Sequence, residues 1–158
     1  MAIEKGKEYL KQFGLDGRVQ EFDVSSATVE LAAQALGVEG KRIAKTLSFK
    51  IGDDAILIIA AGDAKIDNQK YKAEFSTKAK MLAPDEVETL VGHAIGGVCP
   101  FGINSGVKTY LDESLKRFST IFPAVGSSNS AIELTVDELE KYSQNFVKWV
   151  DVCKGWQE

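Results

Sequence analysis

Two short segments hold the residues whose types and spacing could act on a ligand. GGVCPFG, residues 96–102, puts three glycines within seven positions. Glycine admits positive φ and lets a backbone come close to a ligand. Pro100 stiffens the turn and removes one donor. The N–H groups of Gly97, Val98 and Cys99 could then converge on one oxygen as an oxyanion hole or anion nest, with Phe101 walling a pocket. The competing reading is a tight glycine turn between a helix and a strand. The second segment is RIAKTLSFKIG, residues 42–52. Leu47, Phe49 and Ile51 alternate with Thr46, Ser48 and Lys50, which is the period of a strand. Counting back by two puts Lys45 at the head of the apolar row. A lysine there either bends its ammonium into water along an apolar stem or stands at a pocket rim, ready for a phosphate or a polarised carbonyl.

Cys99 follows the single histidine, His93, by six residues. A cysteine with a histidine in reach can be a nucleophile, whereas an isolated cysteine is ordinarily a packing residue. One histidine and two cysteines far apart, Cys99 and Cys153, make a poor zinc site, and no metal is expected.

The elements that must carry these segments follow from periodicity and punctuation. Residues 3–13 read as a helix ended near Gly14, and 18–22 as a short strand. Ser26 or Thr28 caps a helix with Val29, Ala32, Ala33 and Leu36 on one face, stopped by Gly37. Strand 45–51 turns at Gly52-Asp53-Asp54 into strand 55–61, a hairpin signal. Asp67 caps a helix through Phe75, KAKMLA (78–83) reads as a strand, and Pro84 opens a helix to about Leu90. VGHAIGGVCPFGIN is loop. Beyond it come a strand at 107–112, a short helix DESLKRF, and strands 119–125 and 130–134 about a GSSNS turn. Thr135 and Glu138 form a capping box for a helix to about Asn145, and 147–152 closes as a strand. Interspersed helices and short strands with tight turns give a mixed α/β (α+β) domain whose sheet is mostly antiparallel.

The chain of 158 residues is long enough to bury a core and reads as one domain, 1–158. Composition is that of a soluble globular protein, 44% apolar and 27% charged. A net charge of −4 argues against a protein that coats nucleic acid by bulk charge, though not against a local patch of lysines such as Lys41, Lys45, Lys50, Lys65, Lys70 and Lys72. The opening MAIEKGKEYLKQFG is too charged for a secretory signal, no apolar run is long enough for a membrane span, and two thiols fit a reducing setting. A cytoplasmic location is expected.

The order TVELAAQALGV, RIAKTLSF, AAGDAKID, GGVCPFG and YLDESL resembles the YbaK family, the editing-domain superfamily that includes the inserted domain of bacterial prolyl-tRNA synthetase. The resemblance runs from about Thr28 to Asp151. It implies a β-barrel-like, mostly antiparallel sheet surrounded by helices. The implied activity is hydrolysis of amino acids wrongly attached to tRNA, with no metal or organic cofactor; the alternatives are a non-catalytic tRNA- or synthetase-binding module of the same fold and a thiol hydrolase using Cys99 and His93. The implied partners are the acceptor end of aminoacyl-tRNA and an aminoacyl-tRNA synthetase. Residue by residue, Lys45 matches the family's essential lysine, and Gly96, Gly97, Val98 and Cys99 match the loop framing the aminoacyl group, which makes them the catalytic candidates. Thr28, Thr46, Pro100, Phe101, Gly102, Ser127 and Ser128 are the substrate-binding candidates. The cysteinyl-tRNA(Pro) deacylase branch carries a serine, an aspartate and an aromatic residue where this chain has Ala124, Ala131 and a position near Thr28.

Overall fold

The structure is a computed structural model that describes residues 2–94 and 96–156. Helix α1 (Ala2–Lys11) leads to the two-residue strand β1 (Gln20–Glu21) and helix α2 (Val29–Leu36). Thr28 caps α2 by accepting from Leu31 N–H, and Gly37 ends it at φ 70°, a left-handed turn that glycine adopts without strain. Strands β2 (Ile43–Ile51) and β3 (Asp54–Ala61) form the expected hairpin, followed by β4 (Lys65–Ile66). Helix α3 (Asn68–Phe75) starts at Asp67, whose carboxylate accepts from the N–H groups of Gln69 and Lys70. Helix α4 (Pro84–Val91) precedes the glycine loop. Then come β5 (Lys108–Asp112), β6 (Thr120–Pro123), β7 (Ser130–Ala131), β8 (Leu134–Thr135), helix α5 (Val136–Tyr142), β9 (Phe146–Val150) and β10 (Cys153–Lys154). Thr135 and Glu138 do form the capping box of α5.

The main sheet has the order β8-β6-β2-β3-β5-β9 and curls into a half-barrel. Its pairings β2–β6, β3–β5 and β5–β9 are parallel, whereas β2–β3 and β6–β8 are antiparallel. Two small antiparallel pairs, β1–β7 and β4–β10, complete the mixed architecture. One core joins β3, almost wholly buried, to Leu10 of α1, Tyr71 of α3, Val87 and Val91 of α4 and Leu139 of α5. A second cluster packs Ala32 of α2 on Ile43 and Phe122.

Several expectations need correction. KAKMLA is not a strand: it touches β2 through a single bridge, Phe49–Met81, flanked by Lys50 N–H to Lys80 O (2.8 Å) and Leu82 N–H to Ser48 O (3.2 Å). Lys78 and Lys80 stay exposed, so little apolar surface holds it there. DESLKRF winds as a 3-10 turn, Glu113–Arg117, and α5 stops at Tyr142 rather than Asn145, which takes φ 59°. The strand expected at 119–125 ends at Pro123, and that at 18–22 shrinks to Gln20–Glu21. Parity along β2 is also less clean than its sequence: Ser48 is buried along with Phe49, while Leu47 and Ile51 are half-buried. Both faces of this strand are covered.

The outer edge of β2 positions the site. β6 pairs with it at Ile43 and Ala44, and the 80–82 segment meets it again at Ser48 to Lys50. Between these two contacts the edge is open.

Candidate active site

A cavity of about 330 Å³ lies at that opening. Its floor is β2 from Ile43 to Ser48, its walls come from the start of α2, from Met81, Leu82 and Val87, and from Ala124, Ser130 and Ala131. Gly96 and Val98 of the glycine loop close it. The lining is chiefly apolar, with a few hydroxyls and one ammonium; among the described residues no carboxylate and no imidazole faces it.

Lys45 and Thr46 both line this cavity, as does Thr28. The Lys45 ammonium is half-buried and donates to the carbonyls of Ala64 and, at 3.5 Å, Gly62. Burial pulls its pKa below the usual lysine value, against the opposing influence of Cys153 and Asp63. The loop that holds it is itself clamped, since Arg117 pairs with Asp63 at 2.5 and 3.0 Å. Thr46 Oγ1 is buried and has no hydrogen-bond partner among the described residues.

The glycine loop divides its work. Gly96, at φ 92°, and Val98 reach the cavity. Gly97 does not: its φ is not positive, and a Cβ there would lie 2.6 Å from Ser127 N and 2.7 Å from the Gly126 carbonyl carbon. Its N–H donates to Ala94 O at 3.1 Å. The expected convergence of three N–H groups therefore narrows, because Gly97 N–H is already engaged. Cys99, Pro100 and Phe101 turn into the core. Pro100 O accepts from Gln144 N–H at 2.9 Å and Phe101 stacks on Tyr9 with centroids 6.3 Å apart. Gly102, at φ 71°, lets the chain pass against the Lys5 carbonyl, where any Cβ would collide.

His93 and Cys99 do meet, with Nε2 3.6 Å from Sγ. Both are fully buried, and neither lines the cavity. Because the Phe101 carbonyl can only accept, its 2.6 Å contact with His93 Nε2 fixes the proton on that nitrogen. The nitrogen nearest the thiol is then a donor and no base. Burial lowers the His93 pKa and pushes the Cys99 thiol up to about 12. The pair pins the second half of the loop and lacks the exposed, electropositive setting of a reactive thiolate.

Ser127 and Ser128 build the wall without lining it. Ser127 Oγ lies 2.8 Å from Ser130 Oγ and 2.9 Å from Asn129 Oδ1, and the Ser128 carbonyl accepts from Ser26 N–H at 2.6 Å. Sequence reasoning missed Ser48, Phe122, Ser130 and Met81. Met81 is 58% exposed yet lines the mouth, and an exposed methionine beside two lysines was a usable signal. Of the lysines expected to meet nucleic acid, Lys41, Lys50 and Lys70 are ion-paired with Glu39, Glu86 and Asp151.

Residues 23–142 match the aminoacyl-tRNA editing domain family. The chain belongs to that family. The match covers α2, β2, the glycine loop and the 124–131 wall, all the parts that enclose the cavity. The editing domain is 54% identical over 158 residues, 99% of this chain and 100% of the relative, to the uncharacterized protein YwhH of Bacillus subtilis (strain 168). It is 38% identical over 90 residues, 56% of this chain, to proline–tRNA ligase of Thermosipho melanesiensis, and spans only 16% of that ligase. Among solved structures, one described as a candidate trans-editing enzyme for prolyl tRNA synthetase superposes with a TM-score of 0.84 at 29% identity, covering 98% of each chain. The mixed half-barrel is thus an editing-domain fold, and no described helix is long and apolar enough to cross a membrane.

Proposed function

We propose that this editing domain is a trans-editing aminoacyl-tRNA deacylase, hydrolysing the ester between a wrongly attached amino acid and the terminal adenosine of tRNA. The observation that carries this reading is the cavity itself, where Lys45, Thr46, Gly96 and Val98, from segments about fifty residues apart, meet around a space large enough to admit an aminoacyl group. Water attacks the acyl carbon, the carbonyl becomes an oxyanion, and the bond to the ribose oxygen breaks. The ribose oxygen takes a proton and the amino acid leaves as its carboxylate. Val98 N–H, which makes no hydrogen bond among the described residues, is suited to the oxyanion. Lys45 supplies a fixed positive charge beside it. Among the described residues no carboxylate or imidazole in the lining can act as a general base, so attack depends on positioning, with a neighbouring ribose hydroxyl assisting.

The biological logic is that of a second sieve. A synthetase separates amino acids differing by a methylene poorly, and a small editing site removes the errors. Ala124 and Ala131 line the site with small side chains. The likeness to the ligase and to the trans-editing structure favours tRNA charged by prolyl-tRNA synthetase as the source of substrate, and a cytoplasmic setting. Single-turnover assays on a panel of mischarged tRNAs test the proposal. Release of a subset of amino acids, with correctly charged tRNA spared, is expected. Release no faster than spontaneous hydrolysis across the panel would sink it.

A further inference from the structure

The open stretch of β2 is one residue pair long, and its geometry is specific. Gly52 and Asp53 make a two-residue turn that closes on the Ile51–Asp54 pair. In an antiparallel ladder, alternate residues turn both main-chain groups toward the partner strand and the rest turn them away. The even residues of β2 turn away from β3. Lys50 N–H and Ser48 C=O accordingly bond to Lys80 and Leu82, and at the other end Ala44 pairs with Pro123. Thr46 is the even residue between them. Its N–H and C=O have no partner among the described residues, and its buried Oγ1 has none either. Thr46 lines the cavity.

We propose that the aminoacyl group docks on Thr46 as a strand one residue long, its α-ammonium donating to Thr46 C=O and its ester carbonyl accepting from Thr46 N–H. The inference rests on the deacylase reading and names the atoms that orient the substrate. The two bonds are those of a narrow antiparallel pair. The repeat of two residues along a strand is about 6.8 Å, which admits one extended amino acid. Pairing of Lys45 and Leu47 with β3 fixes Thr46 from both sides, so its main chain meets the substrate with little reorganisation. The same N–H strengthens as the carbonyl becomes an oxyanion, and it acts with Val98 N–H. A side-chain substitution at Thr46 leaves both contacts in place, with one exception: proline lacks the N–H.

The test combines NMR with kinetics. The ¹⁵N-labelled protein is titrated with 3′-(L-alanylamino)-3′-deoxyadenosine, whose amide resists hydrolysis, and with its 3′-propionylamino counterpart, which lacks the ammonium. The Thr46 amide proton is expected to move downfield with both, and the propionyl compound to bind at least tenfold more weakly. A Thr46 amide that stays in place, or equal affinities, would overturn the proposal. In single-turnover assays Thr46→Pro should lose about a hundredfold in rate or more, because besides the side chain it removes the N–H, which faces away from β3, where proline is tolerated. Thr46→Ala should lose far less, and equal losses would also overturn the docking. The titration needs no active or altered protein. A wild type that hydrolyses no ester but shows the Thr46 response keeps the docking and loses the deacylase reading; an active protein without that response does the reverse.

Discussion

Gly97→Ala should injure the protein twice, once in stability and once in rate. The new Cβ would lie 2.6 Å from Ser127 N, 2.7 Å from the Gly126 carbonyl carbon and 2.8 Å from Ser127 Cα. Ordinary carbon contacts fall at about 3.5–4.0 Å. Since all three neighbours are backbone, no side chain can rotate away, and the loop must part from the 126–127 segment by roughly 1 Å. Overpacking of this kind costs about 1–3 kcal/mol. For a chain of this size each kcal/mol lowers the melting midpoint by about 2–4 °C, so a fall of about 2–12 °C is expected. Val98 is the next residue and lines the cavity, so it moves too. Misplacing a reacting group by about 1 Å can cost a hundredfold in rate, and a loss near that size is expected in the folded protein. Gly106→Ala is the control, since a Cβ there meets nothing within 4 Å. Calorimetry and single-turnover deacylation on the most reactive mischarged tRNA measure the two effects. If Gly97→Ala matches Gly106→Ala in both, the loop does not lean on 126–127. A lower midpoint with an unchanged rate would show that Val98 does not touch the reaction.

Lys45→Ala should fold by circular dichroism and lose most deacylation, with about 1 kcal/mol of stability lost as the Gly62 and Ala64 carbonyls lose their donor; activity near wild type would remove Lys45 from the reaction. Cys99→Ser should keep substantial activity, and iodoacetamide should label native Cys99 slowly because the thiol is buried and its pKa is pushed up to about 12; a folded but inactive variant, with rapid loss of wild-type activity on alkylation, would restore the thiol mechanism. Arg18 holds the Glu138 carboxylate below the usual range through contacts of 3.0 and 3.1 Å. That stabilisation is present above the carboxyl's unfolded pKa of about 4.3 and is lost as the pH falls through the lower folded value. Glu138→Gln should therefore flatten the fall of melting temperature below about pH 4.3, and an unchanged slope would count against the pair.

Local signals were the readable part of this sequence. Thr28, Asp67 and the Thr135–Glu138 box cap helices because each acts within three residues of itself, and Gly52 turns the β2–β3 hairpin for the same reason. Lys45 and the glycine loop could be singled out by type and spacing. What they face could not. Gly97 serves contact with residues 126–127, and Cys99 meets His93 inside the core. The opening along β2 depends on β6 and the 80–82 segment approaching one strand from distant parts of the chain. No alternation within residues 42–52 encodes where an edge is left unpaired. The parallel pairings β2–β6 and β5–β9 were likewise hidden, since tight turns announce antiparallel neighbours only.

The unpaired edge of β2 also has a history during synthesis. The hairpin with β3 can close as soon as Ala61 is free, but β6 begins at Thr120 and pairs back to Ile43 and Ala44. At about 5–20 residues per second, the intervening chain takes several seconds to emerge. Throughout that interval the part of the outer edge of β2 that β6 will cover is exposed, and an exposed, apolar edge recruits strands from other chains. Lys45 and Lys50 stand on this strand. Charges of one sign along an edge discourage such pairing. Lys45, which lines the finished cavity, thus also puts a charge on the strand in the nascent chain, before any cavity exists.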